Sequence, residues 1–310
     1  MSERRQQPRI LEHVYGDSNR NEERMTKPGS TGTGFERFAS DVYSQSGEDG
    51  VIAAILERLP ELDYRAVEFG AWDGMLMSNT AALADRGWSR VLIEADRKRY
   101  DKLVKASTGN KSVVPIWAMV GWEDGGSTLD ALLADTDVPP DFDVLSIDID
   151  GNDYHVWAAV KSYRPKLVVI EFNPTIRNGI DYVQPPDPSV RRSSSITALA
   201  RLGRVKGYEL TATTAFNAMF VRDDLFGHMG VMDNSVDTLR PDDSWVSDVF
   251  FGFDGHAVFR GGRGLAWHGL EMPSDVRLVP RVFDGFPGDH SLVRRGMLKL
   301  WAAYKRRTSR

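Results

Sequence analysis

Cysteine is absent from all 310 residues, which excludes disulfides, zinc ribbons, iron–sulfur clusters and thiol nucleophiles together. No uninterrupted apolar stretch approaches the ~18 residues of a membrane span. The basic start MSERRQQPRILEHVYGDSNRNEERM lacks an apolar h-region, so no secretory signal is expected and a cytoplasmic protein is the default expectation. A strong charge of one sign is missing too: the formal net charge is -5 and mixed along most of the chain. No global field gathers nucleic acid, and no nucleic-acid partner is expected.

What is present supports one substantial core, with 41% hydrophobic residues. Residues 1–34 are polar, end in KPGSTGTG, and read as a disordered or weakly ordered arm. Over 35–225 the pattern is that of a single domain, and 226–310 is an extension with a basic terminal helix. After a helix marked by a capping box at Ser46 and Asp49 and by Val51, Ile52, Ile55, Leu56 and Leu59, short apolar runs alternate with helical stretches. Strands are expected at Arg65–Phe69, Arg90–Glu94, Ser112–Val120, Phe142–Asp148 and Lys166–Phe172. Helices are expected to begin near Ser78, Asp96, Ser127 and Asp153. A helix over Ser194–Lys206 precedes strands Tyr208–Thr213 and Asn217–Arg222, whose link is too short for a parallel crossover and requires a hairpin. The expected class is α/β: a Rossmann-like class I methyltransferase fold, mostly parallel, with an antiparallel C-terminal hairpin.

The first strand runs into VEFGAWDG, where Gly70 and Gly74 flank a tight turn. Strand C-termini in such sheets are where ligands sit. The fingerprint G-x-G-x-x-G is missing, and Trp72 argues against a pyrophosphate on that turn. Glu68 instead suits a ligand with an ammonium group and no phosphate. Glu94 ends the second strand one βαβ unit later, where a carboxylate accepts both hydroxyls of a ribose. Together these point to an adenosyl sulfonium, S-adenosylmethionine, with Asn79 in the helix start after the turn as a further contact. The SQSGEDG segment returns to the same edge, so Gln45 and Glu48 are candidate ligand contacts, the alternative being that the segment serves only to cap the helix through Ser46 and Asp49.

In FDVLSIDIDGNDYHVW, period-two alternation puts Asp148 and Asp150 on one strand face, and in VVIEFNP it does the same for Glu171 and Asn173. If the two strands are neighbours, four polar side chains converge on one sheet edge, the candidate active site. Three readings stay open: Asp150 or Asp153 caps the following helix; Asp148, Asp150 and Glu171 bind a divalent cation, with Mg²⁺ the natural choice; or an acid orients a substrate hydroxyl and accepts its proton without metal. His155 is an alternative base and, with Asp150 and Asn173, a substrate contact.

At the stretches SQSGEDG, VEFGAWDGMLMSNTAAL, GWSRVLIEAD, DVLSIDIDGNDYHVW, PKLVVIEFNP and KGYELTATTAFNAMFVR, the chain resembles the FkbM-type S-adenosylmethionine-dependent methyltransferases. The resemblance implies cofactor contacts from Glu68, Gly70, Gly74 and Glu94, with Asp148 nearby and Asp150 facing substrate. It also implies O-methylation of a hydroxyl on a saccharide or natural-product small molecule. The loop Thr175–Arg192 and everything after about Leu225 depart from that pattern and leave the acceptor open. Rival readings are a non-catalytic nucleotide-binding protein and, less favoured by the missing fingerprint, an NAD-dependent oxidoreductase.

From Arg294 to Arg310 the chain has seven Lys or Arg and no acid, with Val293, Met297, Leu300, Trp301 and Tyr304 at helical intervals. Such a helix either packs its apolar stripe on the protein or lies on an anionic membrane surface.

Overall fold

The computed structural model describes residues 34–265 and 268–308. Apart from Gly34, the arm expected over 1–34 lies outside the described residues. The described chain falls into two compact units, meeting in sequence at Asp242 and Asp243.

The first unit is built on a seven-stranded sheet of order β3-β2-β1-β4-β5-β7-β6. Its strands are β1 (Arg65–Phe69), β2 (Ser89–Glu94), β3 (Val113–Trp117), β4 (Val144–Ile147), β5 (Leu167–Glu171), β6 (Tyr208–Thr213) and β7 (Asn217–Arg222). The first five pair in parallel, and β7 runs antiparallel between β5 and β6. This is the expected Rossmann-like class I methyltransferase fold, with the hairpin that the short 214–216 link requires.

Alternation along the strands splits the core into two layers. Val67, Phe69, Ile93, Leu145, Ile147, Val168 and Ile170 face one cluster that includes Trp157 and Phe220. Ala66, Val144 and Val169 face the other, where helix α1 (Glu48–Leu56) inserts Ile52, Ile55 and Leu56. Fully burying each large side chain contributes about 1.5–3 kcal/mol, so β4 and β5, apolar on both faces, fix the centre of the sheet. The remaining helices of this unit are α2 (Ala81–Ala84), α3 (Arg97–Ser107), α4 (Leu129–Leu133), α5 (Asp153–Ala159), α6 (Ile196–Val205) and α7 (Val236–Leu239). Strand order reverses between β1 and β4, and the crevice beyond the carboxyl ends of these two strands is the natural ligand position.

Several expected boundaries move. The helix near Ser78 is only the four-residue α2, because Ser78, Asn79 and Thr80 are drawn down onto Glu68. Strand β4 stops at Ile147 rather than Asp148, and β3 spans Val113–Trp117 rather than Ser112–Val120. The capping box is not Ser46 with Asp49. Gly47, in left-handed backbone, precedes α1, and the reciprocal pair is Ser44 with Asp49: the Asp49 amide donates to Ser44 Oγ, and Asp49 Oδ2 accepts from the amides of Val42, Tyr43 and Ser44. The left-handed turn at Gly47 moves the cap two residues upstream of the sequence pattern.

The second unit, taken by itself, has an antiparallel sheet of β8 (Ser247–Phe251), β9 (His256–Gly261) and β12 (Asp275–Arg277), a small pair β10 (Gly264–Leu265) and β11 (Leu270–Glu271), and helix α8 (Leu292–Thr308). Trp301 of α8 meets Phe283 at 5.8 Å between ring centroids, and Arg294 donates to the carbonyls of Val282 and Asp284. The helix packs within its unit on that face, while Val293, Met297, Leu300 and Tyr304 stay exposed. No helix among the described residues is long and apolar enough to cross a membrane.

Candidate active site

Gly70 follows β1 with φ +75°, and a Cβ built there falls 1.7 Å from the Asp148 carbonyl oxygen. Only glycine tolerates both the left-handed backbone and that approach. The chain then turns tightly, with the Gly74 amide donating to Ala71 O at 2.7 Å. Gly74 (φ +78°) packs against Leu92 and Leu103, so its role is to seat the turn on the sheet. Trp72 at φ +50° lies between them, with the Arg99 guanidinium 3.9 Å above its ring.

Glu94 is buried at the end of β2. Its Oε2 accepts from the Trp72 amide at 2.8 Å and its Oε1 from the Asp96 amide at 2.7 Å. One carboxylate thus clasps the turn after β1 to the turn after β2. Each oxygen has a second acceptor position, which is the pair a diol would use.

Glu68 and Asn79 lie beneath the turn. Glu68 accepts from Ser78 Oγ at 2.6 Å, the Asn79 amide at 3.0 Å and Thr80 Oγ1 at 2.5 Å. Burial raises its pKa, opposed by Ser78, Thr80 and the Arg90 charge. Asn79 is also buried and donates from Nδ2 to Ser146 Oγ. Both residues brace the turn through contacts inside the protein. The Gln45 side chain is half-buried at the start of α1. Glu48 is fully buried: Oε1 accepts from Thr214 Oγ1 and Asn217 Nδ2, and Oε2 from the amides of Gln45 and Ser46. It ties α1 to the β6–β7 link.

The acids of the fourth and fifth strands meet, but not by strand alternation. Since β4 ends at Ile147, Asp148 and Asp150 lie in a turn, and Asp150 reaches its position through φ +55°. Register puts Ile147 beside Ile170, so Asp148, the residue after β4, follows next to Glu171, the last residue of β5. One carboxylate oxygen from each of Asp148, Asp150 and Glu171 lies within 4.8 Å of the other two. The turn is held by Asp153, whose two oxygens accept from the amides of Ile149 and Gly151, each at 2.9 Å. Asp153 therefore braces the acid turn rather than capping α5; its N-cap Asn152 makes no side-chain cap bond.

These groups hold protons strongly. Burial, then the carboxylates of Asp153 and Asp150, raise Asp148 well above the usual carboxylate range. Burial and then Asp148 do the same to Glu171, partly opposed by the hydroxyl of Ser193, which donates to it at 3.1 Å. Asp153 is pushed up to about 6, mainly by burial. A set of crowded acids that resists ionisation is a physical marker of a functional site.

Asn173 is placed differently from the expectation of a face shared with Glu171. Asn173 lies beyond the end of β5, and its side-chain amide is taken by Arg192 O, the Thr175 amide and Thr175 Oγ1. It shapes the following loop. His155 on α5 lies 2.8 Å from Gln184 O through Nε2, which must carry the proton because a carbonyl only accepts. Arg191, whose Nη1 is 3.6 Å from Asp150 Oδ2, and Ser193 reach the site from a loop whose sequence gave no periodic signal.

No protein-family model matches this sequence, and no curated protein matches it. Among solved structures the chain is similar to a SAM-dependent methyltransferase from Aquifex aeolicus, at 9% identity over 55% of this chain and 88% of that one, with a TM-score of 0.35. It is similar to the CcbJ methyltransferase from Streptomyces caelestis at 14% identity, covering 59% and 99%, with a TM-score of 0.36. The N-terminal domain of EvdMO1 with SAH bound is matched at 17% identity, covering 62% and 83%, with a TM-score of 0.37. Likenesses at this level carry no argument about chemistry. The fold rests on the strand order, and function has to be argued from the site.

Proposed function

We propose that the chain is an S-adenosylmethionine-dependent O-methyltransferase of the FkbM type, acting on a hydroxyl of a saccharide or natural-product small molecule. The supporting observation is the convergence of Asp148, Asp150 and Glu171 within 4.8 Å at the crevice where the Gly70 turn also lies. This cluster of carboxyl oxygens favours a sulfonium cation over a pyrophosphate, and the second acceptor positions of Glu94 suit a ribose. On this reading Glu94 and the Gly70–Gly74 turn hold the cofactor, with Gln45 at the same edge and Glu68 and Asn79 as supports.

The cofactor supplies an activated methyl group. Asp150, with 44% of its side chain exposed, meets the acceptor hydroxyl as a hydrogen-bond acceptor. Asp148 and Glu171, crowded so that one holds a proton while the other is ionised, take the proton leaving that hydroxyl on the ionised member of the pair. Glu94 and the Gly70–Gly74 turn hold the sulfonium so that it gives up its methyl group to the acceptor oxygen, while the proton of that hydroxyl stays on the Asp148 and Glu171 pair. Positioning within the crevice contributes up to about 7–11 kcal/mol in the most favourable case.

The same three oxygens suit a hard cation such as Mg²⁺. Activity that survives exhaustive chelation selects the metal-free form, and activity restored only by Mg²⁺ selects the other. The cytoplasm is the proposed setting, and the exposed stripe of α8 with its cations is a proposed peripheral contact to anionic lipid. Calorimetry with S-adenosylmethionine, S-adenosylhomocysteine and NAD, followed by turnover on a hydroxylated panel, tests the reading. Binding of NAD alone would replace it with an oxidoreductase, and binding without turnover with a non-catalytic protein.

A further inference from the structure

The segment from Asn173 to Ser195 is fastened to the acid turn at successive points. Ser193 Oγ donates to Glu171, Asn152 Nδ2 donates to Asp187 O at 3.1 Å, and His155 Nε2 donates to Gln184 O. Gln184 is almost fully buried, and its side-chain amide holds both neighbours of Arg191: Nε2 donates to Val190 O at 3.0 Å, and Oε1 accepts from the Arg192 amide at 2.9 Å. Gly151, next to Asp150, lies directly beneath. A Cβ there would be 3.0 Å from Val190 O and 3.3 Å from Arg191 Cα.

The outcome is one exposed guanidinium presented by a fixed backbone. Arg191 Nη1 and Asp150 Oδ2 are 3.6 Å apart, beyond direct hydrogen-bond range, with the Arg191 side chain 68% exposed. The two groups form an ion pair too long for a direct hydrogen bond, so each keeps hydrogen-bonding capacity for a hydroxyl, which accepts from one and donates to the other. A carboxylate or phosphate satisfies only the arginine and meets the acids.

We propose that Arg191 is a specificity-determining residue that, with Asp150, binds a hydroxyl adjacent to the one being methylated, so that the acceptor is a polyol of the saccharide type. Gln184 and Gly151 are positioning residues that hold it there. The inference rests on the methyltransferase reading above, and its test separates the two.

The experiment measures cofactor affinity by calorimetry and methyl transfer to methyl glycosides of glucose, galactose, rhamnose and xylose, with cyclohexanol and phenol as lone-hydroxyl controls. It compares the intact protein with Arg191→Ala, Arg191→Lys and Gly151→Ala. The expected result is glycoside turnover by the intact protein and a KM for the glycoside raised about 10-fold or more in Arg191→Ala. The kcat stays within about threefold, cofactor affinity is unchanged, Arg191→Lys falls between, and Gly151→Ala moves KM in the same direction. An unchanged glycoside KM in Arg191→Ala overturns the inference. So does an intact protein that binds cofactor yet methylates only lone hydroxyls or none of the panel. Failure of the intact protein to bind cofactor overturns the methyltransferase reading itself.

Discussion

Gly70 and Asp148 press the two halves of the site together, with the Asp148 carbonyl oxygen occupying the space where a Gly70 side chain would begin, 1.7 Å from the Cβ position. The turn after β1 and the turn after β4 are therefore one packed object. Gly70→Ala is expected to cost on the order of 3 kcal/mol, from forced displacement added to left-handed strain. Gly87 has a similar φ of +82° with open space around it, so Gly87→Ala should cost only about 1 kcal/mol. Equal losses in thermal or urea unfolding would show that close approach plays no part.

The acid turn carries a pH signature of unusual sign. A carboxyl whose folded pKa lies above its unfolded value binds more protons folded than unfolded between the two, so stability falls as pH rises through that window. For Asp153 the window runs from 3.8 to about 6. Asp153→Asn should remove about 3 kcal/mol of that decline while losing one of its two amide contacts. The variant is then less stable than the parent near pH 4 and equal or better near pH 8. Parallel melting-temperature curves across this range would contradict the assignment.

Arg240 anchors the start of the acceptor-side loop. Buried at the end of α7, it donates to Pro174 O, Ile176 O and Asn178 Oδ1, with its guanidinium 5.1 Å from the Phe172 ring. Arg240→Met leaves these acceptors without their donor and should destabilise by about 2–4 kcal/mol. Hydrogen exchange should rise first over 174–178, and unchanged exchange there would place the anchor elsewhere.

Why the sequence showed the sheet so well and the site only in part follows from the range of the forces. β1, β6 and β7 appear at the expected residues because apolar alternation and a three-residue link are local signals. Strand alternation in the sequence brings Asp148, Asp150 and Glu171 together only on the premise that the chain stays extended through Asp150. Their meeting depends on the left-handed turn at Asp150 and on Asp153 beneath it, neither of which has a periodic signature. Glu68 and Glu94 illustrate the other limit, since carboxylates at strand ends were expected to face ligand and the fold uses them to hold backbone as well. Arg191 and Ser193 lie about twenty residues beyond β5 in irregular chain, where only tertiary structure brings them back.

The stripe Val293, Met297, Leu300 and Tyr304 on a helix with no acid gives an expectation for lipid. Sedimentation with vesicles containing phosphatidylserine should recover the intact protein at low salt and less of it at high salt, while neutral vesicles should not. Recovery unaffected by deleting residues 292–310 would assign the binding to another surface.

The most direct test of the central claim is a calorimetric titration of S-adenosylmethionine into the intact protein and into Glu94→Gln. Saturable one-to-one binding is expected, weakened at least about 10-fold in the variant without loss of the folded melting transition. No heat with the intact protein, or equal affinity in both, would contradict it.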